Sequence, residues 1–212
     1  MPSYLPPLTE DEIASRLANS DHSAVESPYP PGFLRGTLRL AAVLIPLLID
    51  NNAWHVLYIR RTAHAQDPHG GQVAFPGGAS DPGDANAVAT ALREVYEEIG
   101  VHPLHVRLLG RLIDFVTVTS YRVTPIIGVI PWPYPLVLEA NEVDRAFTIP
   151  LDWLADPNNH EARFRPLPNP YEPIDVIYFK PYDNEILWGA SARFTMELIN
   201  LLSRPTANPV NK

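Results

Sequence analysis

The chain reads as one mixed α+β domain. Apolar runs of strand length recur through its middle, and segments with helical apolar spacing are interleaved with them. Its 212 residues are 46% apolar, enough to fill one sizeable core, whereas a disordered acidic chain would be poorer in Leu, Ile, Val and Phe. No internal repeat appears, nor any linker with an independent core on either side. The expected organisation is an N-terminal helix and Pro-rich arm over residues 1–34 packing on the domain, the domain itself over 35–203, and a frayed tail over 204–212.

The elements follow in order. In PPLTEDEIASRLANS, Thr9 and Glu12 have the spacing of a reciprocal helix cap, and Ile13 and Leu17 share the face behind it. SPYPPGFLRG cannot sustain a regular element and reads as a surface connector. LRLAAVLIPLLI (38–49) and VLYI (56–59) predict neighbouring strands across the turn DNNA, with Pro46 at an edge, a bulge or a point where the strand leaves the sheet. Arg60–Gln72 reads as a loop, and QVAFPGG as a short strand ending in a turn at Gly77 and Gly78. Asp84 is positioned to cap a helix from about Ala85 to Ile99, whose Ala87, Ala91, Val95 and Ile99 line one face before Gly100 stops it. Further strands are expected at 106–110, 113–118 and 122–130, the last irregular near Pro125. NEVDRAFTIPLDWL predicts a turn, an extended piece and a short helix near Pro150. A hairpin or flap over 156–173, a strand at 174–179 and a closing helix at 189–202 complete the chain.

Composition removes several classes of function. There are no cysteines, so disulfides, thiolate metal sites and cysteine nucleophiles are excluded. A formal charge of −8 disfavours adhesion to a nucleic acid polymer or an anionic membrane, and any anionic substrate must be met by local Arg, Lys or a metal. Residues 1–17 lack a basic region followed by an apolar run, and residues 40–49 are too short to cross a bilayer, so the chain reads as cytoplasmic. Ser120 and Ser191 stand in no base-and-orienter context, and His64 and His69 have no partners at zinc-ligand spacing.

The chemistry concentrates in LREVYEEIG. Glu94 and Glu98 are four residues apart and Glu97 is three from Glu94, so all three carboxylates are expected to approach one point beside the helix. Carboxylates that close repel unless compensated; Arg93 can neutralise one, and an oxygen-seeking cation such as Mg²⁺ suits the others. The small opposite face would pack tightly on a sheet and fix the carboxylates relative to the FPGG segment. That arrangement suits metal-assisted attack of water on a diphosphate. Taken alone, three Glu in five residues read as a solvated helix face; the double glycine upstream is what argues otherwise.

Gly78, Asp84, Arg93, Glu94, Glu97, Glu98 and Gly100 resemble, in order, the signature of the Nudix hydrolase family. Two departures stand: Asp84 replaces the usual Glu, and eight rather than seven residues separate it from Arg93. The resemblance implies an α/β/α sandwich around a mixed β-sheet. It also implies that Glu94, Glu97 and Glu98 hold Mg²⁺ or Mn²⁺ with the Gly77/Gly78 backbone, Gly78 being a metal ligand, that Arg93 orients the glutamates, and that Glu94 or Glu98 polarises the attacking water.

Residues 57–78, VTPIIG (123–128), NEVDRAFTIPLDWL (141–154) and ILWGASAR (186–193) are similar to the coenzyme A pyrophosphatase branch of that family. This implies cleavage of CoA or acyl-CoA into 3′,5′-ADP and 4′-phosphopantetheine or its acyl form. The branch carries a basic residue in the loop where Ala65–Pro68 stand here. Arg60, Arg61 and His69, with Gly77, are the substrate-binding candidates, Arg61 foremost; Arg35 and Arg39 flank the first strand. Trp153, Trp188 and Phe164 read as packing residues rather than adenine stackers. Three alternatives stay open: ADP-ribose or NADH as substrate, an idle Nudix-like binding module, and a homodimer built through the arm or the terminal helix.

Overall fold

The computed structural model describes residues 4–34, 36–63 and 70–204. Arg35, His64, His69 and the tail beyond Arg204 lie outside the described residues. In chain order the elements are α1 (Glu10–Ala18), β1 (Val25–Glu26), β2 (Arg39–Asp50), β3 (Ala53–Arg61), β4 (Val73–Ala74), β5 (Gly77–Ala79) and α2 (Ala87–Ile99). They continue with β6 (Arg107–Arg111), β7 (Asp114–Val116), β8 (Tyr121–Val129), β9 (Val143–Pro150), α3 (Leu151–Ala155), β10 (His160–Arg165), β11 (Ile174–Phe179) and α4 (Gly189–Leu202).

Among the described residues the main sheet runs β1-β7-β8-β2-β3-β4, with β5 added to β2, β6 to β8 and β9 to β3. It is mixed: β1·β7 and β2·β8 are parallel and the other pairs antiparallel. β10 and β11 form a separate hairpin. Two prolines mark where the sheet forks. Pro46 falls between the residues of β2 that pair with β5 (Ala41–Val43) and those that pair with β3 (Leu47–Asp50), and Pro125 falls where β8 changes partner from β7 to β6. A residue without an N–H is tolerated where a flank changes partner.

Each face of the sheet has its own apolar layer. Ala91, Val95 and Ile99 of α2 are fully buried against Ala42, Leu44, Leu48, Leu57 and Ile59. On the other face Ile13 and Leu17 of α1 join Leu198, Ile199 and Leu202 of α4 over Ile45, Leu47, Val56 and Tyr58. The Tyr58 hydroxyl, wholly buried, meets that of Thr195 at 2.9 Å and ties β3 to α4. No helix of the described residues is long and apolar enough to cross a membrane.

The Thr9–Glu12 cap forms in both directions, at 3.2 and 2.6 Å. Four expectations need correction. Asp84 does not cap α2; Asn86 does, accepting from the Ala89 N–H at 3.0 Å, because Asp84 is drawn to Arg93. Gly77 and Gly78 lie in a strand and not in a turn. The expected loop starts later, since β3 extends through Arg60 and Arg61. The connector after α1 is not wholly irregular: Val25–Glu26 extend the sheet beside β7.

Candidate active site

The site is built where β5 is squeezed between β2 and α2. Gly78 pairs with Ala42 and Gly77 with Val43. A side chain at Gly77 would place its Cβ 2.4 Å from the Ala42 carbonyl oxygen and 2.5 Å from the Val43 Cα, on a backbone whose φ is already +151°. At Gly78 a Cβ would stand 2.6 Å from the Glu94 carboxylate. Glycine is required at 77 because the β2 backbone comes so close, and at 78 because the acidic helix does. The Gly77 N–H turns toward the helix and donates to Glu98 Oε2 at 2.8 Å.

Glu98 is 1% exposed, an unusual position for a carboxylate. Burial pushes its pKa up to about 8, and the negative charges of Glu94 and Glu142 push the same way, while the Gly77 N–H and Arg61 oppose them. Glu94 is also raised, first by burial and then by Glu97 and Glu142, against the pull of Arg93. Two desolvated acids therefore face the same space.

Arg93 is the hub beside them. Its guanidinium donates to Glu94 and Glu97 at 2.9 Å each, to the Ala79 carbonyl at 3.0 Å, and through two nitrogens to Asp84 at 2.9 and 3.1 Å. This fork holds the Asp84 carboxyl well below the usual range, with the Asp81 N–H assisting. Glu97 is 56% exposed and faces Arg93. One nitrogen of Arg93 gathers Glu94 and Glu97, and Glu98 lies a turn further on toward the Gly77 N–H; among the described residues no three acidic or histidine side chains already stand as a closed metal cluster. The i, i+4 pair Glu94 and Glu98 lines the cavity, and Arg93 holds Glu94 and Glu97 alike.

Both inward glutamates open onto a cavity of about 850 Å³, also lined by Arg61, Gly77, Gly78 and Glu142. The NUDIX domain family matches residues 38–169 of this chain, spanning the double glycine, the acidic helix and most of this cavity. The chain belongs to the Nudix family.

NudL of Yersinia pestis (strain Pestoides F), termed an uncharacterized Nudix hydrolase, is 36% identical over 176 residues, covering 81% of this chain and 83% of its own. NudL of Yersinia pseudotuberculosis (serotype O:1b, strain IP 31758) is similar to the same extent. Among solved structures the Nudix hydrolase RenU of M. smegmatis aligns with a TM-score of 0.47 at 18% identity, covering 57% of this chain and 76% of its own. The helices on both faces of a mixed sheet are those of the Nudix α/β/α sandwich.

Ahead of the helix, the chain departs from the Nudix signature at Asp84, whose carboxylate is taken up by Arg93. Arg60 and Arg61 part company at the point where the β3–β9 register shifts between them. Arg61 turns into the cavity, its Nη1 4.0 Å from Glu98, whereas Arg60 pairs with Asp144 and Glu185 and does not line the cavity. Arg39 lies over the Tyr121 ring at 4.1 Å. Trp153 packs against Phe179 and Tyr182, and Trp188 stacks on Tyr178 while lining the cavity. Phe164, expected to pack, is 80% exposed on the hairpin.

Glu142 is the functional candidate that sequence reasoning missed. It is brought in by register: Arg61 pairs with Val143, and the Thr62 N–H donates to the Glu142 carbonyl. No local pattern marks it, since its neighbours in the site come from segments about 45 and 80 residues away in sequence. The inward donor set, carboxylates of Glu94 and Glu98 with Glu142 nearby and no soft ligand, fits a hard divalent cation that would offset the burial of Glu98.

Proposed function

We propose that this Nudix hydrolase is a divalent-cation-dependent diphosphatase that cleaves CoA or its thioesters, in the cytoplasm, into 3′,5′-ADP and 4′-phosphopantetheine or its acyl form. The observation that carries this reading is the buried Glu94/Glu98 pair beside the glycine strand at the wall of a cavity large enough for a cofactor-sized substrate. The resemblance of residues 57–78, 123–128, 141–154 and 186–193 to the CoA pyrophosphatase branch supports the substrate.

When bound, Mg²⁺ or Mn²⁺ supplies Lewis acidity toward the phosphoryl oxygens and the attacking water. Glu94, Glu97, Glu98 and the Gly78 backbone would hold it, with Glu142 adding negative charge. Arg93 fixes Glu94 by a direct hydrogen bond, so that carboxylate does not have to reorganise when substrate arrives. Arg61, on the cavity wall, is placed to receive a phosphoryl oxygen, and the Gly77 N–H orients Glu98. Glu94 or Glu98, at the cavity wall, would accept the proton that water gives up.

The test is a screen of product masses with CoA, ADP-ribose and NADH, each with and without divalent cation. We expect 3′,5′-ADP from CoA at far higher kcat/KM than any cleavage of the other two, and none after chelation. Preferential cleavage of ADP-ribose or NADH would move the substrate while keeping the chemistry. Tight CoA binding with no cation-dependent turnover would make this a binding module. Glu98→Gln should keep native circular dichroism and lose turnover by about 10²–10³-fold; unchanged turnover would remove Glu98 from the mechanism.

A further inference from the structure

The cavity is longer than a diphosphate requires. One cross-strand rung runs from Ala79 on β5 through Ala41 on β2, Val123 on β8 and Phe115 on β7 to Glu26 on β1. All five residues line the cavity. With strands about 4.8 Å apart, four steps give a floor of about 19 Å. Glu94, Glu98 and the glycines stand at the β5 end, so the β1 end is remote from the reacting centre.

That remote end has an apolar stretch edged by the polar side chains of Glu26, Thr117, Thr119 and Arg193, and it is walled by the N-terminal arm. Its floor is Val123 and Phe115, Met196 of α4 lies on one side, and Tyr29 and Val118 close it. Its ion pair, Arg193 with Glu26, is satisfied internally. Arg165 stands exposed on the hairpin rim. The arm is docked twice: β1 adds to the sheet edge, and the Tyr29 ring stacks on Phe33 at 5.4 Å, which meets Tyr171 of the β10–β11 loop edge-on at 5.2 Å.

We propose that this arm-walled end is a subsite for the apolar arm of the substrate, an S-acyl pantetheine, so that acyl-CoA thioesters are preferred to free CoA and Tyr29 and Val118 set the acyl length accepted. The inference rests on the diphosphatase reading for its choice of headgroup. Each methylene buried there is worth about fourfold in binding, which makes chain length a sensitive readout.

Two measurements test it. The first is kcat/KM for free, hexanoyl- and decanoyl-CoA; the second is calorimetric binding of decanoyl-pantetheine, which lacks the diphosphate. Both are made on the wild-type protein and on Tyr29→Ala and Val118→Trp, with circular dichroism to confirm folding; Val118 is 40% exposed, so the larger ring can be carried by the loop. We expect kcat/KM to rise at least about tenfold from free to decanoyl-CoA. Val118→Trp should lower decanoyl-CoA at least about tenfold more than free CoA and weaken decanoyl-pantetheine in parallel, and Tyr29→Ala should flatten the chain-length dependence. A flat dependence in the wild type with no decanoyl-pantetheine binding would overturn the subsite. A Val118→Trp effect on the ratio of CoA to dephospho-CoA, with chain length unaffected, would overturn it too by seating the nucleotide beside Arg165. Decanoyl-pantetheine bound by the wild type and lost in Val118→Trp, with no CoA ester hydrolysed, would uphold the subsite and defeat the diphosphatase reading.

Discussion

Gly77 and Gly78 are neighbours with different duties. At Gly77 an added methyl group meets backbone, the Ala42 carbonyl and the Val43 Cα, neither of which can move without disturbing the central strand. At Gly78 the atoms it meets first are those at the end of the Glu94 side chain. Gly77→Ala should therefore cost stability, about 1–3 kcal/mol from backbone conformation alone and more from the clash. Gly78→Ala should leave the melting transition nearly in place and lower turnover, because Glu94 must leave its seat beside Arg93. Thermal melts and steady-state kinetics on the two variants check this; equal loss of stability in both would contradict it. Their dipeptide was visible in the sequence as a special place, but its reason was not. A turn and a pinched strand ask for the same residue, and only the partner atoms distinguish them.

At the scale of elements, legibility followed the locality of the forces. The closing helix and the strand before it were predicted with the bounds observed, 189–202 and 174–179, because apolar periodicity fixes which face is buried. The Thr9–Glu12 cap was readable since its partners are three residues apart. β1 was not, because two residues become a strand only when β7 is beside them. Within the site, the i, i+4 rule brought Glu94 and Glu98 to one cavity, but it could not show that Glu142 would arrive from β9's leading edge. On α4, Glu197 has its pKa raised from 4.5 to about 7, chiefly by burial and further by Glu26, against the Ile113 N–H, Arg193 and Arg204. Its neutral form is favoured by folding, so this group's contribution is full below about pH 4.5 and is lost as pH rises through about 7. Glu197→Gln keeps an acceptor for the Ile113 N–H, at 3.2 Å in the wild type. It should match wild type at pH 5 and exceed it at pH 8, by about 1 kcal/mol after discounting for solvent access. Chemical denaturation at the two pH values is the check; a variant less stable at pH 8 would reverse the sign.

For the whole molecule, the two apolar layers hold the sheet without help from the site, and the buried acids work against them. A cation between Glu94 and Glu98 should therefore bind the folded chain and not the unfolded one. Chelation should leave circular dichroism native, while Mn²⁺ at a hundred times its Kd should raise Tm by about 5–10 °C. Glu94→Gln and Glu98→Gln should each lose most of that shift. The arm extends the same logic to specificity: the sheet edge that would otherwise end at β7 is continued by β1, and the cavity gains a far wall.

Anomalous scattering from Mn²⁺-soaked crystals would locate the cation. A peak is expected within coordination distance of the Glu94 and Glu98 carboxylates beside Gly78. A site populated elsewhere, with that pair left without metal at saturating Mn²⁺, would contradict that placement.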